Sequence, residues 1–223
     1  MVEIHNPNSK MRGILVALEG IDGVGKSTQI TMLHKRLDAT IFKFPDRQTE
    51  TGRILDSHLK KEKVLHPKTE HLIQCANRAE KEPNILKCIS EGRICICDRF
   101  YGSGIVYTSS KDCEDFNFGT QEELTQWAKQ GDAHLVKPDL TFYLNPTQTY
   151  EKTTNELYET PSFQKKVKAN FNVLASEEKW MLVEVDQYWK KKSELNDFLT
   201  KEIKKNTRKW EILPSNSMIK HGK

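Results

Sequence analysis

The octapeptide Gly20-Ile21-Asp22-Gly23-Val24-Gly25-Lys26-Ser27 constrains this chain more than any other feature. It fits G-x-x-x-x-G-K-[ST] in full, and a chain of 223 residues contains such a match by chance with a probability of about 1%. It follows the short apolar run Ile14–Leu18. It opens a stretch, Ser27–Leu37, that places Ile30, Leu33 and Leu37 on one helical face. A buried strand, glycines and then a helix is the setting in which this loop binds phosphate. Glycines let backbone N–H groups converge on phosphate oxygens, and the helix start adds its positive dipole end. Gly20, Ile21, Asp22, Gly23, Val24, Gly25, Lys26, Ser27 and Thr28 are therefore the candidate nucleotide-binding set. Lys26 reads as a point charge between the β- and γ-phosphates, and Ser27 as a hydroxyl ligand of Mg²⁺.

Apolar, β-rich runs alternate with helical patterns along the rest of the chain. Strands are expected at Thr40–Phe44, Arg93–Asp98, Asp139–Leu144 and Trp180–Val185. Helices are expected at about Gly52–Lys60, His71–Ala79, Pro83–Ser90 and Glu194–Lys205. This alternation predicts an α/β fold, a parallel sheet covered on both sides, with ligands at the C-terminal ends of its strands. Asp98 ends an otherwise apolar strand and is the candidate second Mg²⁺ residue. Arg99 follows at the mouth of the same cleft, and its fork suits phosphate oxygens. These residues point to a Mg²⁺–nucleoside triphosphate protein; the absence of an Asn-Lys-x-Asp motif argues against a GTPase.

Composition adds bounds. The net charge of +4 is too balanced to demand a nucleic acid polymer, and no apolar run approaches the ~20 residues of a membrane span. The five cysteines form no CxxC pair and read as reduced core thiols of an intracellular, cytoplasmic or nuclear, protein. Residues 1–12 read as a flexible tail rather than a secretory signal, 13–206 as one domain and 207–223 as a C-terminal tail.

The ordered motifs resemble those of thymidylate kinases, among the P-loop nucleoside monophosphate kinases. They are Leu18–Gln29, Phe44-Pro45-Asp46-Arg47 with Thr49, Glu50 and Gly52, then Cys75-Ala76-Asn77-Arg78. Asp98-Arg99-Phe100, Ser103-Gly104-Ile105-Val106-Tyr107, Lys137-Pro138-Asp139-Leu140, Tyr158-Glu159 and Phe163-Gln164 follow in the family's order. The resemblance covers about Gly13 to Asp186. It implies a three-layer P-loop kinase fold with a central five-stranded parallel sheet and a mobile lid at about 146–161. The implied reaction is transfer of the γ-phosphoryl group of ATP, with Mg²⁺, to dTMP, giving ADP and dTDP on the way to dTTP. It also implies a homodimer. By resemblance, Arg47 and Arg99 align the dTMP phosphate, Asp22 accepts from the 3′-OH and Arg78 donates to thymine O4. Phe44, Pro45, Leu59, Ser103, Gly104 and Tyr107 line the base pocket, and Tyr158 disfavours ribose.

Three positions depart from the pattern. Gln74 stands where the family usually places a phenylalanine that stacks on thymine. Gly23 stands where some members carry arginine. No arginine lies between Arg99 and Arg208, so Lys152 is the lid's cation by default and a candidate catalytic residue. A nucleoside monophosphate kinase with other or broader deoxynucleotide specificity, or a nucleotide-binding regulatory module without transfer, stays open as an alternative.

Overall fold

The computed structural model describes residues 12–147, 156–188 and 190–209. Five strands, β1 (Ile14–Glu19), β2 (Thr40–Lys43), β3 (Ile94–Asp98), β4 (Leu140–Asn145) and β5 (Met181–Glu184), form one sheet in the order β2-β3-β1-β4-β5. Every pairing is parallel. The α/β class and the five-stranded parallel sheet follow the sequence expectation, with strand ends moved by about one residue.

β1 lies at the centre because it has no polar face to show: Ile14, Leu15, Val16 and Leu18 are fully buried. Its register places Leu18 beside Asp98 and Glu19 beside Tyr143. The C-terminal ends of β1 and β3 therefore deliver the phosphate loop and the Asp98-Arg99 pair to one edge of the sheet.

Eight helices flank the sheet among the described residues. They are α1 (Lys26–Leu37), α2 (Glu50–Leu59), α3 (Pro67–Ala79), α4 (Glu82–Ser90), α5 (Tyr101–Ser109), α6 (Gln121–Gly131), α7 (Pro161–Glu177) and α8 (Lys192–Lys209). α1 packs on α8, while α5 gathers α3, α6 and α7 around itself. None of the described helices is long and apolar enough to cross a membrane.

Three of the helices, α5, α6 and α7, go beyond the sequence expectation. α5 carries two glycines and β-branched residues, a poor intrinsic helix former. Its packing requires those glycines. A Cβ on Gly102 would stand 2.3 Å from the Trp180 ring, and one on Gly104 would stand 2.5 Å from an Arg78 nitrogen. Glu19 replaces a local cap, accepting from the backbone N–H groups of Phe100 (2.9 Å) and Ser103 (3.1 Å).

The thiol expectation needs one correction. Cys75 and Cys97 are free and buried, but Cys88 and Cys95 form a disulfide between α4 and β3. The chain turns back at Gly92 (φ 77°), so residues seven apart face each other.

Candidate active site

One cleft of about 400 Å³ opens at the C-terminal edge of the sheet. Of the predicted residues, Asp22, Gly23, Gly25, Lys26, Ser27, Thr28 and Asp98 line it. Phe44, Pro45, Arg47, Leu59, Gln74, Arg78, Arg99, Ser103, Gly104, Tyr107 and Tyr158 line the same cleft. Gly20, Ile21 and Val24 do not; the Ile21 and Val24 side chains are buried in the core, which leaves their backbone for a ligand. Lys152 lies outside the described residues.

The phosphate loop is held by its own lysine. Gly23 and Gly25 take positive φ (78° and 94°), the left-handed conformation that glycine adopts without penalty. Lys26 is 6% exposed, and its Nζ donates to the carbonyls of Gly20 (2.9 Å) and Ile21 (2.7 Å). Burial and the neighbouring Arg99 push its ammonium down to about 7.

Ser27 Oγ lies 3.5 Å from Asp98 Oδ2. A hydroxyl and a carboxylate are hard oxygen donors, and Mg²⁺ is ordinarily held by one or two such groups with substrate phosphates and water. The donor set therefore fits that ion.

Arg99, at positive φ (66°), folds back onto the loop. Its NH1 donates to Gly20 O (2.9 Å) and Ser103 Oγ (3.0 Å), and its NH2 to Asp22 Oδ1 (2.8 Å) and Tyr107 Oη (3.3 Å). Tyr107 Oη donates to Asp22 Oδ2 at 2.9 Å. Asp22, Arg99 and Tyr107 thus form one closed set. The Ser103 hydroxyl donates to the buried Glu19 (2.5 Å), whose burial raises its pKa. Glu19 is a buttress for both α5 and Arg99.

At the other end of the cleft, Arg47 meets two carboxylates. Its NH1 donates to Asp56 (2.7 Å), and its NH1 and NH2 form two parallel bonds with Glu156 (2.8 and 2.9 Å). Arg78 is 4% exposed and anchored through Nε and NH2 to the fully buried Asp132 (2.8 and 2.7 Å). Tyr158 packs its ring on Phe163 and donates to the buried Glu70 at 2.6 Å. Gln164 ties the two ends together. Its Oε1 accepts from Asp22 N (3.3 Å) and its Nε2 donates to Tyr158 O (2.7 Å).

Sequence reasoning missed Lys43, Leu55, Phe100, Glu156, Leu157 and Glu159 as cleft residues, and Glu70, Asp132 and Gln164 as supports. For Glu156 and Glu159 the available signal was adjacency to Tyr158. For Asp132 there was none.

A family model described as Thymidylate kinase matches residues 18–194. The chain is 36% identical to the thymidylate kinase of Schizosaccharomyces pombe over 175 residues, 74% of this chain and 79% of that protein. It is 34% identical to the Homo sapiens thymidylate kinase, over 79% of this chain and 84% of that one. A solved structure of thymidylate kinase from Candida albicans, presented as revealing the origin of broad substrate specificity, superposes with a TM-score of 0.74. Identity is 31%, and the match covers 88% of this chain and 94% of that one.

Proposed function

The chain belongs to the thymidylate kinase family, and from that premise we propose how its cleft carries out the family's reaction. The chain is an ATP-dependent nucleoside monophosphate kinase that transfers the γ-phosphoryl group of ATP to dTMP, giving ADP and dTDP. The observation that carries the assignment of roles is the single cleft that joins Lys26, Ser27 and Asp98 at one end to Arg47, Arg99 and Arg78 at the other.

Two phosphates, both anionic, must meet in this cleft, and cations must offset their repulsion. Lys26 leaves the Gly20 and Ile21 carbonyls for the β- and γ-phosphate oxygens of ATP. Ser27 and Asp98 would hold Mg²⁺, which supplies charge neutralisation and orients the phosphate oxygens. Arg47 and Arg99 align the acceptor phosphate in line with the γ-phosphoryl group. Asp22 accepts from the 3′-OH when Arg99 turns from it towards phosphate. Tyr158 packs at the sugar, and Arg78 donates to thymine O4. The lid, about 146–161 with Lys152 as its cation, closes over ATP and excludes water. Residues 13–206 act as one catalytic domain, which α8 extends to Lys209, in an intracellular homodimer.

Broader deoxynucleotide use is the second reading, and Gln74 favours it. A carboxamide is a poorer stacking platform than a phenyl ring but offers hydrogen bonds. The test is ADP release with ATP and Mg²⁺ across dTMP, dUMP, dGMP, dCMP and AMP. Turnover with dTMP at the highest kcat/KM is expected. ATP binding with no transfer to any acceptor would leave only the regulatory-module reading.

A further inference from the structure

Behind the cleft, outside its lining, lies a buried carboxylate that the transfer mechanism does not use. Glu70 is 1% exposed and lies on α3, one turn before Gln74. Its Oε2 accepts from Lys111 Nζ (2.5 Å) and Tyr158 Oη (2.6 Å) and faces His58 Nε2 at 3.2 Å. Its Oε1 accepts from Gln74 Nε2 at 2.9 Å. These contacts come from α2, α3, the segment after α5 and the end of the lid.

Each neighbour can donate to Glu70, so the ionised form is favoured. Burial alone would raise its pKa, but the contacts from His58, Lys111 and Tyr158 outweigh it and hold the carboxyl at about 2. An ionised carboxylate accepts hydrogen bonds and cannot donate one. The Gln74 amide therefore has one orientation, nitrogen towards Glu70 and carbonyl oxygen turned away from it, and Gln74 is one of the residues that line the cleft. Among the described residues no donor reaches that oxygen.

Arg78 stands one turn further along the same helical face. Asp132 occupies its Nε and NH2, which leaves NH1 as the free end of a guanidinium that also lines the cleft. The helix thus presents a fixed acceptor followed by a fixed donor.

We propose that Glu70 is a positioning residue that locks Gln74 as an acceptor, so that this cleft selects bases carrying a ring N–H beside a carbonyl oxygen. Thymine, uracil and guanine present that edge. Cytosine and adenine present the reverse, an amino group beside a bare ring nitrogen. They would set lone pair against lone pair at Gln74 and donor against donor at Arg78. The inference rests on the kinase reading and deepens it by naming the class of acceptor base.

The test compares kcat/KM, together with equilibrium binding, for dTMP, N3-methyl-dTMP, dGMP and dCMP. The proteins are wild type, Gln74→Leu and Glu70→Gln. N3-methyl-dTMP lacks only the ring N–H. Wild type is expected to prefer dTMP over it, and over dCMP, by about tenfold or more. Gln74→Leu should reduce the first preference to under about threefold, because it removes the acceptor. Glu70→Gln, whose own amide lets Gln74 turn over, should weaken dTMP and relatively improve dCMP. A purely structural role would lower all four nucleotides by one common factor. An unchanged preference for dTMP over N3-methyl-dTMP in Gln74→Leu overturns the proposal, whether or not Glu70→Gln folds. Failure of wild type to phosphorylate any of the four is a different result. It removes the kinase reading, and the binding ratios then decide the role of Gln74.

Discussion

Arg47 and Glu156 face each other through two parallel hydrogen bonds of 2.8 and 2.9 Å, although 109 positions separate them. The pair ties Arg47, proposed to align the acceptor phosphate, to the end of the proposed lid. Asp56 takes a further NH1 hydrogen. A guanidinium has five N–H donors, so Nε and one NH2 hydrogen remain, and these form a single edge that matches two phosphate oxygens. Glu156 and Asp56 leave Arg47 able to bind phosphate and fix which edge it offers. Arg47 is 37% exposed, so the pair contributes only roughly 0.5–1 kcal/mol. Glu156→Gln should raise the KM for dTMP by about two- to fivefold with a smaller change in kcat. A lower KM would mean that Glu156 competes with the acceptor phosphate instead of presenting Arg47 to it.

Lys26 links nucleotide binding to protons. Its pKa of about 7 means that it is increasingly neutral above that pH. A bound polyphosphate favours the ammonium. Binding at pH 8 should therefore take up a proton, and affinity should fall as pH rises from 7 to 9. Calorimetric titration in Tris and in HEPES reads this directly as a difference in apparent enthalpy. Lys26→Met should abolish the difference. Equal enthalpies for wild type in the two buffers would show that Lys26 is already charged before nucleotide arrives.

Asp132 neutralises Arg78 inside the protein, with both side chains at most 4% exposed. Removing one partner of a buried pair leaves an uncompensated charge, at a cost of about 3–5 kcal/mol. Asp132→Ala should lower the free energy of unfolding in urea accordingly, whereas Lys166→Ala, which breaks the exposed pair with Asp112, should change it by less than about 0.5 kcal/mol. A loss below about 1 kcal/mol in Asp132→Ala would mean that Arg78 relaxes into water.

The His58–Glu70 contact predicts a pH window for stability. Glu70 raises the pKa of His58 above the ordinary 6.5, and Glu70 itself is held at about 2 against an ordinary 4.5. The His58 contribution is fully present below pH 6.5 and is lost as pH rises through its raised value. The Glu70 contribution is present above pH 4.5 and is lost as pH falls towards 2. Together they are largest between pH 4.5 and 6.5. The stability advantage of wild type over His58→Gln, measured by urea unfolding, should shrink as pH rises from 6 to 9. A constant difference across that range would show that His58 stays neutral.

Some of this molecule was legible along the chain. The helix-start signals Thr120-Gln121-Glu122-Glu123 and Thr160-Pro161 were also present. Thr120 accepts from Glu123 N and Thr160 from Phe163 N, so α6 and α7 could have been anticipated. α5 could not, because its cap is Glu19 and its glycines answer to Trp180 and Arg78.

The sequence by itself determined the phosphate loop and the parallel sheet that carries it. Those features are encoded locally: consecutive glycines set the loop's backbone, and consecutive apolar residues bury the strand. Tertiary structure alone decided how the cleft's charges are paired. Arg47 with Glu156, Arg78 with Asp132, and Glu70 with Tyr158 join positions 109, 54 and 88 apart, and no spacing rule relates them. A buried charge must find its partner wherever the packed elements bring one, and that choice exists only once the chain has folded.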